Sequence, residues 1–368
     1  MAPRPWSDLP KELLHLIFDR LTNTVDVLCC GAVCVSWRFV VDRRKRKPLT
    51  PPLLLLTRSD GEVDNEGLCN TINVFNTTRN KVHSINLPQT RGRWYRSSSH
   101  GWLLTIGGDF PHEINLLNPF TRTQIILPPA RSDFATPQRL RVITSNRPSD
   151  PDCIFLAIHS DRGKLAICKA GDQDWTTLII TPFNILSDGI FHKGQFYLVD
   201  RRENILRCEV IGPRFRFPRV RRLHLETPHY CRGYSYLVES RSGDLLLVIR
   251  FTGREQQRPP QEPLRTLHFE VYKLDWSERR WSLVENLGDE AIFLGKYSSI
   301  SVSAGSHSGE CRANCIYFID DTEEWHRTKD PRHETGVYHM GNRYMRIEWL
   351  YQSSPIWTSP LNWIRPEI

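Results

Sequence analysis

From residue 53 onward the chain is written in short apolar runs, each cut off by a turn, and this pattern constrains the fold more than any other feature. The runs are Leu53–Thr57, Ile72–Phe75, Trp102–Ile106, Arg141–Thr144, Ile154–Ile158, Lys164–Cys168, Gln195–Val199, Leu245–Phe251, Leu267–Leu274 and Cys315–Ile319. Few stretches sustain a helical period, so this region is all-β. The 25 prolines and 21 glycines are spread along the chain rather than gathered in one tract, which suits many turns between short strands. A faint repeat runs through it. Asn76-Thr77-Thr78-Arg79 leads to Leu87-Pro88, and Asn118-Pro119-Phe120-Thr121-Arg122 leads to Leu127-Pro128, with the two asparagines 42 residues apart. Glycine-led strands recur at Gly101-Trp102, Gly163-Lys164, Gly194-Gln195 and Gly243-Asp244, and turn-plus-tryptophan units at Asp174-Trp175 and Arg280-Trp281. These units predict four-stranded propeller blades with apolar inner strands and outer strands that end in tryptophan. A blade of about 40–50 residues divides the region into six or seven. A β-sandwich pair is the competing reading of the repeat alone.

Residues 6–47 read differently, as three short helices. Asp8 is the expected N-cap of the first, with Pro10 near its opening turn. Leu13, Leu14, Ile17, Phe18 and Leu21 then recur on one broad face. Thr22-Asn23-Thr24 breaks the pattern, and Thr24 caps a second helix carrying Val27 and Leu28, with Gly31 as its stop. A third places Val33, Trp37 and Val40 on one side and ends in basic residues, where cations favour the helix dipole. So small a unit cannot bury all of these side chains, and some should face another protein. The alternative is a helical subdomain packed on the rest of the chain.

The order of residues supports the first of these. Trp6-Ser7-Asp8-Leu9-Pro10-Lys11-Glu12-Leu13-Leu14, then Ile17-Phe18 and Leu21, then Asp26-Val27-Leu28, then Val33-Cys34-Val35-Ser36-Trp37-Arg38 closely resembles the F-box. The resemblance implies binding to the small adaptor subunit of SCF-type ubiquitin ligases and, through it, to a cullin. It assigns Leu9, Pro10, Leu13, Ile17, Leu28, Val33 and Trp37 to that interface or its immediate support, with the share of Trp37 in the core left open. Further along, Gly194-Gln195-Phe196-Tyr197-Leu198-Val199-Asp200, Phe269–Asp275 followed by Trp281, Leu287-Gly288-Asp289-Glu290-Ala291-Ile292-Phe293-Leu294-Gly295, Asn314–Asp321 and Pro355–Pro360 resemble plant F-box proteins with a kelch-like C-terminal domain of unknown function. That resemblance implies a plant source and a target-binding β domain, and supplies no target. The expected organisation is an F-box over 1–47, a linker over 48–52 marked by Pro48, Pro51 and Pro52, and a kelch-like propeller over 53–368.

Composition narrows the remaining classes. The formal net charge is +8, and residues 38–47 alone hold Arg38, Arg43, Arg44, Lys45, Arg46 and Lys47 against Asp42. With the excess so local, a broad nucleic-acid-binding face is not indicated. The run Arg43, Arg44, Lys45, Arg46, Lys47 reads either as a solvated helix end or as a nuclear-import signal. The first residues lack a signal-peptide core, and the apolar run Leu53–Leu56 is too short to span a bilayer, so a nuclear or cytoplasmic protein without membrane association is expected. None of the ten cysteines forms a C-x-x-C pair, which suits reduced thiols. Cys311, Cys315, His326 and His333 follow zinc-finger order, but their spacing fits that motif poorly. Asp320, Asp321, Glu323 and Glu324 read as a solvated turn, and Trp94, Tyr95 and Trp325 as loop residues. No P-loop, G-x-S-x-G or H-E-x-x-H motif is present. The expectation is therefore a non-catalytic receptor subunit of a ubiquitin ligase, without cofactor or metal. The alternative is a propeller scaffold in chromatin or transcription that acts outside a ligase.

Overall fold

The computed structural model describes residues 6–21, 27, 30–31, 33–43, 51–58, 71–77, 81–108, 111–130, 140–159, 164–178, 185–209, 219–222, 233–253, 265–295, 297–305, 311–319, 335–341, 345–346 and 357–365. Two helices are delimited at the N-terminal end, α1 (Lys11–Arg20) and α2 (Val35–Arg43); after them the described residues are strand and turn, apart from one short 3-10 helix at Pro88–Thr90.

Six sheets make a six-bladed propeller, the lower of the two expected counts. The first blade holds β1 (Leu53–Arg58), β2 (Thr71–Asn76) and β3 (Lys81–Asn86). The second holds β4 (Arg93–Ser99), β5 (Trp102–Gly107), β6 (His112–Leu117) and β7 (Gln124–Ala130). The third holds β8 (Leu140–Thr144), β9 (Ile154–His159), β10 (Lys164–Lys169) and β11 (Thr176–Leu178). The fourth holds β12 (Leu186–His192), β13 (Gln195–Asp200), β14 (Ile205–Glu209) and β15 (Arg219–Arg222). The fifth holds β16 (Gly233–Glu239), β17 (Leu245–Gly253), β18 (Arg265–Asp275) and β19 (Arg280–Val284). The sixth holds β20 (Glu290–Leu294), β21 (Ile300–Ser303), β22 (Cys315–Phe318), β23 (Gly336–His339) and β24 (Met345–Arg346). Strand β25 (Trp357–Ile364) returns to the first blade and pairs antiparallel with β1, Leu53 opposite Ile364 and Leu54 opposite Trp363. The ring is thus closed by hydrogen bonds between the first and last strands. The sixth blade breaks the simple meander: its order is β21-β20-β22-β23-β24, with β20 and β22 parallel.

The pleat explains why the apolar runs are continuous rather than alternating. Successive side chains point to opposite faces of a sheet, and each blade is covered on both. Leu53 and Leu55 pack toward the second blade, while Leu54 and Leu56 pack toward the sixth. Burying such a leucine contributes roughly 1.5–3 kcal/mol. Every one of the six junctions between neighbouring blades carries its own apolar cluster.

Polar groups stitch the same junctions. The Asp188 carboxylate on β12 pairs with Arg141 on β8 and accepts the Leu237 N–H of β16 at 2.8 Å, joining three blades. Trp175 donates its indole N–H to the Pro128 carbonyl of the preceding blade at 2.7 Å. Trp175 and Trp281 stand at the start of outer strands rather than at their ends, because there each ring covers the gap to the preceding blade.

The repeats have local causes. In the β4–β5 and β12–β13 hairpins both turn residues have positive φ, His100 with Gly101 and Lys193 with Gly194, the two-residue turn that matches strand twist. Asn76 and Asn118 end the third strands of their blades, and the Asn118 Oδ1 accepts the N–H groups of Phe120 and Thr121, fixing the turn to the outer strand. Trp94 and Tyr95 lie in the innermost strand β4, not in a loop. Pro51 and Pro52, assigned from sequence to the linker, are buried.

Candidate functional site

The N-terminal helices form a miniature core. Leu14, Phe18, Val27, Trp37 and Val40 are buried together, with Leu9, Ile17, Leu21, Cys30 and Cys34 half-buried around them. Trp37 is the centre. Its ring meets Phe18 edge-on at 5.5 Å, and its indole N–H donates to the Trp6 carbonyl at 3.1 Å, tying α2 to the turn before α1. Asp8 is not the N-cap. It lies in a tight turn (Trp6–Asp8), and α1 starts from Pro10, whose fixed φ suits a helix entrance and whose ring offers no capping oxygen. Beside α2, the Ser36 hydroxyl and then the Trp37 backbone N–H hold the Cys34 thiol below its ordinary pKa.

This core closes without using all the apolar side chains. Leu13 and Leu16 are exposed as i, i+3 neighbours on α1, and Val35 and Phe39 as i, i+4 neighbours on α2. Leu16 is 61% and Val35 83% exposed. Of the residues assigned from sequence, Pro10, Leu13 and Val33 are exposed, and Leu9 and Ile17 are half-buried. Val33 sits in the turn before α2 rather than beside Trp37 on a helix face, since the helix starts two residues later. Trp37 is buried and supports the unit from within. Leu28, Arg44, Lys45, Arg46 and Lys47 lie outside the described residues, and Arg43 ends α2. Leu16, Val35 and Phe39 escaped the sequence reading. The signal was available, because a leucine or valine off the core stripe of so short a helix cannot reach that helix's own core.

Among the described residues, no group of three or more His, Cys, Asp or Glu side chains is placed to hold a metal. Cys311 and Cys315 are buried, and the Cys315 sulfur lies 3.1 Å from His339 Nδ1. His326, His333, Asp320, Asp321, Glu323, Glu324 and Trp325 lie outside the described residues. No described helix is long and apolar enough to cross a membrane. The Gly288-Asp289-Glu290 signature serves blade packing. The Asp289 carboxylate accepts from Ser303 Oγ and the Gly305 N–H, while Glu290 accepts the Arg241 N–H of the fifth blade and the Ser301 hydroxyl.

A helical unit with an exposed apolar surface, joined in one chain to a six-bladed ring, is the architecture of an F-box protein with a propeller domain. Residues 6–46 match the F-box-like family and residues 74–339 the KIB1-4 beta-propeller family. The chain belongs to the KIB1-4 beta-propeller family. It is similar to Arabidopsis thaliana proteins along most of their length: 24% identical to the putative F-box protein At5g55150, over 98% of this chain and 97% of that one, and 25% identical to the F-box protein SKIP23, over 85% and 83%. Among solved structures, TolB from Acinetobacter baumannii overlaps 90% of this chain and 70% of its own at 10% identity, with a TM-score of 0.43.

Proposed function

We propose that this chain is the substrate-recognition subunit of an SCF-type cullin–RING ubiquitin ligase. Its helices bind a Skp1-type adaptor and, through it, a cullin, while the propeller presents a target protein for ubiquitination. The observation that carries this reading is the mismatch within the helical unit: a closed core around Trp37, with Leu13, Leu16, Val35 and Phe39 left outside it. Burying each in a partner contributes at most roughly 1.5–3 kcal/mol, and the four together are enough for a small helical surface to bind. In this reading Leu9, Pro10, Leu13, Ile17, Leu28 and Val33 form or border the contact, and Trp37 holds it in shape. The chain itself supplies no catalytic group; ubiquitin transfer belongs to other subunits.

The test is affinity purification of the tagged full chain from plant cells under proteasome inhibition. Adaptor and cullin should be recovered together with at least one further protein whose amount rises on inhibition. Recovery of propeller-bound proteins without adaptor or cullin would refute the ligase reading in favour of a scaffold.

A further inference from the structure

The innermost strands of neighbouring blades meet at their ends, and at one junction the meeting pair is ionisable. Ser99 ends β4 and Thr144 ends β8, and their hydroxyls lie 2.8 Å apart. In the same places on the fourth and fifth blades stand His192, the last residue of β12, and Glu239, the last of β16, with the ring Nδ1 3.7 Å from the carboxylate. The His192 side chain is fully buried, yet neither of its nitrogens has a hydrogen-bond partner. Trp276, in the β18–β19 turn, stacks on it with ring planes 8° from parallel and centroids 6.4 Å apart. Tyr197 of β13 meets the imidazole at 6.1 Å and the indole at 5.3 Å, so three rings from two blades share one site.

An apolar ring would fill this space without leaving a polar group unpaired, so the imidazole is held there against stability. Its charge state is set by what surrounds it. Burial first pushes His192 below the ordinary value of 6.5, Glu239 pulls it back up, Lys193 in the adjoining turn lowers it and Asp244 raises it. Asp244 is already engaged by Lys273 at 2.8 Å, and Arg207 lies beyond Tyr197. Glu239 is thus the carboxylate nearest the ring, and it is exposed to water. The indole can leave without unfolding its turn, because the Asp275 carboxylate holds that turn by accepting from the Ser277 N–H and hydroxyl and the Glu278 N–H.

We propose that His192 and Glu239 form a proton-operated latch between the fourth and fifth blades. With His192 neutral, Trp276 lies on the ring and the junction is shut. With His192 protonated, the imidazolium turns out to water beside Glu239, and Trp276 is released from Tyr197. The folded chain keeps His192 neutral where the unfolded chain would take up a proton, so the latch's contribution to stability is complete above 6.5 and is lost as pH falls below it. The device does not depend on the receptor reading; it lies in the propeller and acts whatever the helices bind.

The test follows Trp276 in the full-length chain, as the difference in emission between wild type and Trp276→Phe, with acrylamide as quencher, at steps between about pH 8 and pH 5. The Trp276 component should be shielded at the alkaline end. Its quenching should rise and its emission move to the red with a midpoint below 6.5. His192→Gln, which cannot take the proton, should remove the transition. Glu239→Gln should move the midpoint to lower pH and Lys193→Gln to higher, since the two charges act on the ring in opposite directions. Far-UV circular dichroism on the same samples should stay constant. A Trp276 component that does not change with pH overturns the proposal, as does the same transition in His192→Gln, which would assign it to another group such as Glu203. If His192→Gln fails to fold, the exposed Glu239 and Lys193 positions decide alone: midpoints that stay put in both variants overturn the latch, and opposite shifts support it.

Discussion

Replacing Trp363 by alanine tests whether the ring is held shut by its last strand. Trp363 is fully buried in β25, opposite Leu54 of β1. Its ring meets Phe293 of the sixth blade edge-on at 4.9 Å, and its indole N–H donates to the Leu294 carbonyl at 2.9 Å. One side chain therefore joins the closing strand, the first blade and the sixth. Truncating a buried Trp costs about 3–5 kcal/mol. A Trp363→Phe variant keeps a six-membered ring but loses the donor and the five-membered half of the indole, which together cost at least about 1–2 kcal/mol. At roughly 2 °C per kcal/mol for a domain of this size, the melting temperature should fall by about 6–10 °C for alanine and 2–4 °C for phenylalanine. Hydrogen exchange read by mass spectrometry should show β25 and β1 losing protection together in the alanine variant, ahead of the third and fourth blades. An alanine variant that melts within about 1 °C of wild type would mean that the β1–β25 seam does not limit stability, and the closure argument would fail.

Two further outcomes follow from named groups. Trp37→Ala should remove about 3–5 kcal/mol from a helical unit too small to spare it; amides of α1 and α2 should exchange freely while the propeller transition stays put, and a loss of propeller stability instead would show that the two are coupled. Glu203 is raised to about 7, first by burial and then by the neighbouring Asp200 carboxylate. The folded chain thus keeps a proton that the unfolded chain releases near the ordinary value of 4.5. Its contribution to stability is complete below that value and is lost as pH rises toward 7. Glu203→Gln should therefore raise the melting temperature at pH 8 and leave it unchanged near pH 4, and an equal gain at both would contradict the assigned cause.

The propeller was legible because blades covered on both faces demand continuous apolar strands, and runs such as Leu53–Leu56 and Leu245–Phe251 announce them. Turn chemistry was legible for a similar reason: Gly101 and Gly194 occupy positions that require positive φ. The closing strand was not. Nothing in Trp357–Ile364, interrupted by Pro360, shows that it pairs with a strand some three hundred residues earlier. The parallel β20–β22 pairing was equally hidden, since a meander and this crossover share the same apolar pattern. At the helical unit, periodicity located the core residues Leu14, Phe18 and Trp37. It did not separate Leu13 from Leu14, because helix phase at a short, Pro-initiated helix is fixed by packing rather than by composition.

The receptor reading is tested most directly by measuring the affinity of the full chain for a purified Skp1-type adaptor, with wild type beside a Leu13→Glu/Leu16→Glu variant. Both positions are solvent-exposed, so the substitutions leave the Leu14, Phe18 and Trp37 core untouched and the melting temperature unchanged. Placing two charges where an apolar partner should dock removes at least about 2 kcal/mol, which predicts a loss of about thirty-fold or more. Wild-type chain that fails to bind the adaptor, or a folded variant that binds it as tightly as wild type, would contradict the assignment.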